Sequence, residues 1–427
     1  MTMTIEQRTT ETVRIDPERL WDSLSKLGEI GAYLDDETGL IGVRRLALTD
    51  EDVAGRRLVL SWFADAGLEI TLDRVGNVRA RRPGLDDSLA PVVIGSHVDS
   101  VATAGRFDGC LGVLGGLEVV RTLNDHEVST LRPIELAIWT EEEGCRFGTD
   151  MLGSAVAAGR ITEAQARSLT DAGGISVGAE LDRHGLVGPV AVPVTPPAHY
   201  LECHIEQGPI LEAGGYEIGV VTGVQAILWH RLTIRGRAAH AGTTPDALRH
   251  SATLAAALVT VKLDEMVKSG QYGALLANVG RFDTAPNLVN IVASEAVITI
   301  DLRNPEEDAI QRASADLLAY CREVEQRTGV TIASEITAHT PPVQFYDEVM
   351  DEVEATANRF GLSNRRIMSG AGHDAGEMAA ICPTGMVFVP GKYDGISHNP
   401  REYSTPKACA DGINVLFQCA VSFANRS

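Results

Sequence analysis

The sequence predicts an α/β protein in which one domain, built on a mostly parallel central sheet, is split by a smaller inserted α+β domain. Helix and strand patterns alternate over residues 1–221, as they do where helices cover a parallel sheet. Over residues 222–336, apolar and polar residues alternate one by one along the strands, which is typical of a sheet with one exposed face. The earlier alternation of helix and strand returns over residues 337–427, so these residues are assigned to the first domain.

The elements of the first domain follow from the spacing of their apolar residues. Leu111, Leu114 and Leu117 begin a series of apolar residues three or four apart, which predicts a helix with one buried face. The continuous apolar run 92–94 predicts a buried strand. In chain order, the predicted segments are helices at 17–34, 51–67 and 110–126, strands within 69–84, 90–100, 133–148, 198–209 and 381–390, and a closing helix within 397–423.

The inserted domain is predicted from strands in which apolar and polar residues alternate, and from the helices between and after them. Strands are expected within 227–245 and 295–303, and helices within 245–267 and 306–329. This succession of strands and helices indicates a small α+β layer.

The composition excludes several classes of function. The net charge of −21 at pH 7 disfavours nucleic acids and anionic membranes, because binding to either requires clustered Lys and Arg. No apolar run approaches the roughly 20 residues that a membrane-spanning helix needs, and the polar N-terminal residues lack the pattern of a secretion signal. The seven cysteines include no C-x-x-C pair and favour reduced thiols. We therefore expect a cytoplasmic protein that binds neither nucleic acid nor membranes.

Polar residues follow four of the predicted strands at the point where each strand ends. The apolar run 92–94 leads directly to His97, Asp99 and Asp108 in a glycine-rich loop. The other strand-end residues are Glu141, Glu142 and Glu143, then His204, Glu206 and Gln207, and finally His398. Ligands of open α/β sheets bind beyond the carboxyl ends of the strands, so these side chains are expected to meet there.

Three histidines with several carboxylates suit one or two divalent metal ions. Taken alone, a strand-end histidine or a run of glutamates is more often a solvated surface feature, and only the convergence of four strand ends favours a metal site. The three consecutive glutamates repel one another unless a cation offsets their charge. With a metal bound, one of them can bind it while its neighbour acts as a base. Three cysteines beside these motifs are alternative soft ligands, namely Cys110, Cys145 and Cys203.

Seven motifs, taken in order, resemble those of the hydantoinase/carbamoylase amidases within the M20 metallopeptidase superfamily. They are GSHVDSVATAGRFDG, TEEEGCRFGTDMLGS, HIEQGP, GRAAHAGTTP, PNLVNIVASEAVITIDLR, GAGHDAGEMA and GISHNP. The resemblance extends over nearly the whole chain. It implies a two-metal catalytic domain with an inserted lid that also forms the interface of a homodimer.

The resemblance implies two divalent metal ions per subunit, with Zn²⁺ as the first candidate and Mn²⁺, Co²⁺ or Ni²⁺ as alternatives. By the same resemblance, His97 and His204 bind one ion while Glu143 and His398 bind the other. Asp108 bridges the two ions.

Further roles in catalysis are implied by the same match. Glu142 becomes the general base, and Asp99 orients the imidazole of His97. His240, in the lid, binds the substrate and polarises the scissile carbonyl or stabilises its oxyanion. Glu141 matches no fixed role and is expected to be a surface acid.

Substrate recognition is assigned to residues of later motifs. Arg303 would clamp a substrate carboxylate, since a guanidinium group fits two oxygens, although an arginine on a plain sheet surface is an open alternative. Asn290 and Gln207 would bind neighbouring polar atoms, and Gly370 would offer its backbone N–H to the carboxylate. His373 either supports its loop or contacts the substrate.

The resemblance predicts an amidohydrolase that cleaves a linear C–N bond of a small ureido or amide substrate carrying a carboxylate. The first candidate substrate is an N-carbamoyl-L-amino acid, converted to amino acid, CO₂ and ammonia. Allantoate, β-ureidopropionate and N-acyl amino acids are alternative substrates. A protein that binds metal and ligand without catalysis is the alternative outside the enzyme class, and the unpaired acid Glu142 beside Glu143 argues against it.

Overall fold

The computed structural model describes residues 12–426 of the chain. The chain divides into two compact units, of which one combines Met1–Gly223 with Gln344–Ser427 and the other comprises Val224–Val343. Within residues 12–426, no helix is both long and apolar enough to cross a membrane.

Seventeen strands, numbered here in chain order, and twelve α-helices occur in the described residues. The strands are β1 Ala32–Leu34, β2 Ile41–Val43, β3 Glu69–Leu72, β4 Val78–Arg82, β5 Val92–His97, β6 Ile134–Trp139, β7 His199–Ile205, β8 Ile218–Val224, β9 Ala226–Arg235, β10 Ala239–His240, β11 Leu276–Ala285, β12 Ile291–Val292, β13 Glu295–Asn304, β14 Thr331–Thr340, β15 Val343–Gln344, β16 Asn364–Ser369 and β17 Thr384–Val389. The helices are Pro17–Leu27, Asp50–Asp65, Cys110–Asp125, Leu152–Ala157, Glu163–Ser168, Val177–His184, Ile210–Gly214, Ala252–Lys268, Glu307–Thr328, Asp347–Arg359, Asp374–Met378 and Pro406–Ala424.

The large sheet has nine strands in the order β15-β8-β17-β7-β5-β6-β4-β3, with β16 also paired to β8. Its four central strands, β17, β7, β5 and β6, are parallel. The strands flanking them pair antiparallel, as β8 does with β17 and β4 does with β6 and β3. The expectation of a mostly parallel sheet is therefore wrong at the flanks. Five residues join β3 to β4, and so short a connection permits only antiparallel pairing.

The helix Cys110–Asp125 is buried on nearly all sides, not on the single face that its apolar spacing predicts. It contacts β5 and β7 and also the helices Pro17–Leu27 and Pro406–Ala424. Small residues allow this close packing, because a Cβ atom at Gly115 would lie 2.1 Å from Ile413 Cδ1.

Two other predicted helices are longer than the observed ones. The first ends at Leu27, and β1 occupies the last residues of the predicted segment. The closing helix begins only at Pro406, after a loop that carries His398. Proline at the first helical position and the Thr405 hydroxyl, which accepts from the N–H of Ala408, fix that start.

The second unit contains a four-stranded antiparallel sheet in the order β11-β13-β9-β14. Two helices, Ala252–Lys268 and Glu307–Thr328, pack against it and bury one shared apolar core. Along β13, buried and half-buried residues alternate without exception, so Ile298 and Ile300 point into the core while Arg303 lies on the other face. The alternation expected from the sequence sets this register.

Candidate metal centre

The carboxyl ends of the central parallel strands bring several polar side chains together. His97 is the last residue of β5 and pairs with Trp139, the last residue of β6. The glutamates 141–143 follow β6 directly, and His204 lies one residue before the end of β7. Parallel strands end at the same sheet edge, so these residues share one site.

Asp108 lies between two groups of side chains. Its Oδ1 is 3.1 Å from His204 Nε2 and 3.6 Å from His97 Nε2. Its Oδ2 is 3.5 Å from His398 Nε2, and that imidazole is 3.2 Å from Glu143 Oε2. The two carboxylate oxygens of one aspartate thus serve two neighbouring sets of ligand atoms.

These contacts define two groups that could each hold a metal ion, namely His97, Asp108 and His204, and Asp108, Glu143 and His398. In each group the potential ligand atoms lie within 4.8 Å of one another. The buried atoms His97 Nε2 and Glu143 Oε1 have no hydrogen-bond partner among the described residues. Unpaired buried polar atoms are costly, and one cation in each group would give each of these atoms a partner, so the donor set fits divalent metals.

A glycine allows His97 to occupy this position. Gly109 has a φ of +63°, and a Cβ atom there would lie 2.4 Å from the His97 imidazole. Only glycine fits this backbone conformation and this close approach. The N–H of Gly109 also points at His204 Nε2, 3.0 Å away.

The orientation of His97 differs in detail from the expectation. Its Nδ1 lies 3.0 Å from the backbone carbonyl of Asp99 and 3.9 Å from the Asp99 carboxylate. The carboxylate instead accepts from the backbone N–H groups of Glu142 and Glu143, at 3.4 and 3.3 Å. Asp99 therefore contacts His97 through its main chain and the glutamate loop through its side chain. The sequence could not separate these two contacts.

Glu142 is buried beside both groups but belongs to neither. Its Oε2 lies 3.4 Å from His97 Nε2. Burial raises the pKa of Glu142 well above its usual range, and the nearby carboxylates of Asp374 and Glu143 add to the rise. A carboxylate with a raised pKa is a stronger base than an ordinary glutamate.

Glu141 is not the surface acid that was expected. It is 1% exposed, and its Oε1 accepts from the N–H groups of Phe147 and Arg146 at 2.8 and 3.2 Å. Its φ of +56° marks a turn directly after β6. The carboxylate therefore holds the loop that carries Glu142 and Glu143.

Gln207 is placed against the same centre. Its Nε2 donates to Asp108 Oδ2 at 2.8 Å, while its buried Oε1 has no partner among the described residues. Sequence reasoning missed this contact with Asp108, and the contact of Gln207 with substrate stays a prediction.

A third group of candidate ligands lies deeper in the fold and consists of Glu202, His204 and His373. The Glu202 carboxylate already accepts from Ser96 Oγ at 2.8 Å and from the N–H of Ala375 at 3.0 Å. These bonds indicate a structural network behind the metal centre. No cysteine belongs to any of the three groups within residues 12–426, so the alternative of soft ligands finds no support there.

In the second unit, the local geometry fixes the tautomer of His240. The N–H groups of Gly242 and Thr243 point at His240 Nδ1 from 3.0 and 3.3 Å. Because Nδ1 accepts, the neutral ring carries its proton on Nε2 and presents a hydrogen-bond donor. Asn290 is exposed nearby, and its carbonyl accepts from the N–H of Ala241 at 3.0 Å.

Arg303 is partly exposed and forms a two-pronged ion pair with Asp301 on the same strand, with Nη2 and Oδ2 3.0 Å apart. A substrate carboxylate would therefore add to this pair or replace it. Gly370 is exposed in the loop that follows β16. His373 is buried, and its Nε2 lies 3.0 Å from Ser369 Oγ, which supports the loop.

Comparison with known proteins places this geometry in a family. Residues 93–422 match Peptidase family M20/M25/M40. An N-carbamoyl-L-amino-acid amidohydrolase of Rhizobium meliloti is 40% identical over 97% of this chain and 98% of its own. An allantoate amidohydrolase of Escherichia coli is 32% identical over 92% of this chain and 95% of its own. The crystal structure of an amidase of the hydantoinase/carbamoylase family from Burkholderia multivorans superposes with a TM-score of 0.90, at 42% identity over 97% of this chain and 99% of that one.

The chain belongs to the M20/M25/M40 peptidase family. The predicted resemblance to the hydantoinase/carbamoylase amidases is confirmed, since these relatives are named as amidases or amidohydrolases.

Proposed function

We propose that the protein is a metal-dependent amidohydrolase that converts an N-carbamoyl-L-amino acid and water into the amino acid, CO₂ and ammonia. One observation carries the proposal. Two groups of potential ligands share Asp108, and the unused acid Glu142 lies beside them. The similarity to a named N-carbamoyl-L-amino-acid amidohydrolase supports this substrate class.

The proposed cofactors are two divalent metal ions, with zinc as the first candidate. His97 and His204 would hold one ion, Glu143 and His398 the other, and Asp108 both. When bound, such ions supply electrophilic stabilisation of negative charge that develops on oxygen.

In this proposal Glu142 moves the proton. Its carboxylate accepts a proton from the water that attacks the carbamoyl carbon and later delivers it to the leaving nitrogen as the C–N bond breaks. Burial and the neighbouring acids raise the pKa of Glu142, which makes its carboxylate a stronger base and so favours the first transfer. If the nitrogen of the amino acid leaves, the remaining carbamate decomposes to CO₂ and ammonia; if ammonia leaves, the carbamate decomposes to CO₂ and the amino acid.

We further propose that His240 donates its Nε2–H to the developing oxyanion, as its tautomer allows. Arg303 would bind the substrate carboxylate bidentately, with help from the backbone N–H of Gly370. Asn290 and Gln207 would bind the remaining polar atoms. The residues Val224–Val343 would act as the lid.

A homodimer formed through the lid is also proposed. Leu254 and Val261 on the helix Ala252–Lys268 are 52% and 56% exposed, and burial between two subunits would remove this apolar surface from water. Light scattering on the purified protein measures the mass, and a monomer at micromolar concentration would contradict the proposal.

The function is tested by incubating protein loaded in turn with Zn²⁺, Mn²⁺, Co²⁺ or Ni²⁺ with a panel of ureido and N-acyl acids. The panel includes N-carbamoyl-L-amino acids, allantoate, β-ureidopropionate and N-acetyl amino acids, and ammonia and free amine are measured. Turnover highest with N-carbamoyl-L-amino acids supports the proposal, and preference for allantoate would assign the activity named for the Escherichia coli relative. If no substrate is turned over with any of the metals, the alternative of a protein that binds metal and ligand without catalysis would be favoured.

A further inference from the structure

The buried carboxylate of Glu402 lies beneath the candidate metal centre and has not been given a role so far. Its side chain belongs to the loop that also carries His398, and the residue is only 5% exposed. Glu402 Oε1 accepts from the backbone N–H groups of Phe107 and Asp108, at 2.9 and 3.2 Å. The carboxylate therefore holds the main chain at the residue that is common to both ligand groups.

The other oxygen of Glu402 reaches the same aspartate by a second path. Glu402 Oε2 lies 2.8 Å from Ser397 Oγ, and Ser397 Oγ lies 2.7 Å from Asp108 Oδ2. Ser397 directly precedes His398 in the chain. One side chain thus touches the Asp108 main chain directly and the Asp108 carboxylate through a hydroxyl.

Gly105 lies close against the Glu402 side chain. A Cβ atom at Gly105 would lie 2.5 Å from Glu402 Cβ and 2.6 Å from Glu402 Oε1. The loop before Asp108 therefore lies directly on this side chain. Another hydrogen bond joins the same two loops, since Thr103 Oγ1 donates to the carbonyl of His398 at 3.1 Å.

We propose that Glu402 is a positioning residue that locks the Asp108 loop to the His398 loop and so sets the distance between these two metal ligands. The observed separation of Asp108 Oδ2 and His398 Nε2 is 3.5 Å. Without Glu402, the two N–H groups lose their common acceptor and the Ser397 hydroxyl loses its contact with the His398 loop carboxylate, and the ligand pair loosens. The inference rests on the proposed function only in taking the site to be a metal centre.

A glutamine variant distinguishes a role of Glu402 in hydrogen bonding from a role of its negative charge. A glutamine at 402 keeps Oε1 as the acceptor for the two N–H groups, and its Nε2 donates to Ser397 Oγ. The Ser397 hydroxyl then still donates to Asp108. An alanine removes the three bonds made by the side chain of residue 402, so the glutamine variant should rescue what the alanine variant loses.

The test measures metal dissociation constants of the full-length protein by competition with a chromophoric chelator, using Zn²⁺ as the probe. The variants are Glu402→Ala and Glu402→Gln, with Asp73→Ala as the matched control. Asp73 is also buried and also accepts from two backbone N–H groups, those of Val75 and Asn77, but it contacts no candidate ligand. Circular dichroism checks the fold of each variant.

We expect Glu402→Ala to weaken binding of at least one Zn²⁺ by about 10- to 100-fold, the range found when residues that orient metal ligands are lost. Glu402→Gln and Asp73→Ala should stay within about threefold of the unchanged protein, well below that range. At saturating metal, Glu402→Ala should lower kcat with little change in KM, because the substrate contacts are intact.

Unchanged Zn²⁺ affinity in a folded Glu402→Ala variant would overturn the proposal. Equal losses in the alanine and glutamine variants would overturn it as well, since charge and not hydrogen bonding would then be at work. If Glu402→Ala does not fold, the Zn²⁺ affinity of Ser397→Ala is measured instead. An unchanged affinity in that variant would refute the proposed positioning role of Glu402. Absence of ureido hydrolysis by the unchanged protein would contradict the proposed function but leave this comparison of affinities intact.

Discussion

Replacing Glu142 by glutamine tests the proposed proton transfer most directly. The amide has the shape of the carboxylate but cannot accept a proton. Glu142 belongs to neither group of metal ligands in the described residues, and its Oε2 approaches His97 Nε2 only to 3.4 Å. The contact of its backbone N–H with Asp99 does not depend on the side chain. The variant should therefore fold and keep its metals.

The size of the effect follows from the role. A positioned general base contributes about 10²- to 10⁴-fold to the rate, or about 3–5 kcal/mol of activation free energy. Since Glu142 serves in both proton transfers of the proposal, we expect a loss of kcat toward the upper end of this range. KM should change little, because glutamine leaves the substrate contacts in place.

The assay combines ammonia release with metal analysis by mass spectrometry. Glu143→Gln is the matched control, since the same chemical change in the neighbouring residue should lower metal content at the site that contains His398. A Glu142→Gln variant that holds its full metal complement and keeps kcat within about tenfold would refute the assignment of the base.

Three further predictions concern binding, metal and pH. Arg303→Ala should raise KM for carboxylate substrates by about tenfold or more with little change in kcat, whereas Arg231→Ala, which removes an exposed pair with Glu335, should change neither. An equal loss toward neutral amides would contradict the clamp. Removal of metal by a chelator should abolish turnover and lower Tm, and metal added back at about 100 times its Kd should restore about 2.7 kcal/mol of stability per ion. If Tm does not change when metal is removed or added, the proposed metal centre would be contradicted. Burial raises the pKa of Asp73 from its ordinary 3.8 to about 6, so its protonated form stabilises the folded state below about pH 4 and this contribution is lost as pH rises through 6. The free energy of unfolding, measured with urea, should fall by about 3 kcal/mol over this pH range in the unchanged protein but not in Asp73→Asn. If the free energy of unfolding depends on pH in the same way in both proteins, Asp73 is not the cause.

The positions of potential metal ligands could be predicted because they lie in strands or in the loops that follow predicted strands, and because the motifs resemble those of a known family. His97, Asp108 and His204 stand out in this way, and the structure brings their ligand atoms together. The inserted sheet was visible for a similar reason, since one face of β13 is buried and the other is not.

What the sequence did not reveal depends on loops and on main-chain contacts. Glu402 and Ser397 lie in the loop after β17, and their proximity to Asp108 arises only when segments some 290 residues apart meet. Glu141 was misjudged because its carboxylate accepts from main-chain N–H groups, contacts that no side-chain pattern signals. The strand β11 escaped notice because most of its residues are exposed, so its apolar pattern is weak.

The place of β17 in the sheet has a consequence for synthesis of the protein on the ribosome. This strand lies between β7 and β8, yet it is translated after the entire unit Val224–Val343. While β17 is still in the exit tunnel, the edges of β7 and β8 lack their partner, and the acids around Asp108 lack His398. The later unit has its own core and can fold during this interval. The earlier unit must wait for β17, so the nascent chain carries two unpaired strand edges, a feature that favours aggregation, until this strand emerges.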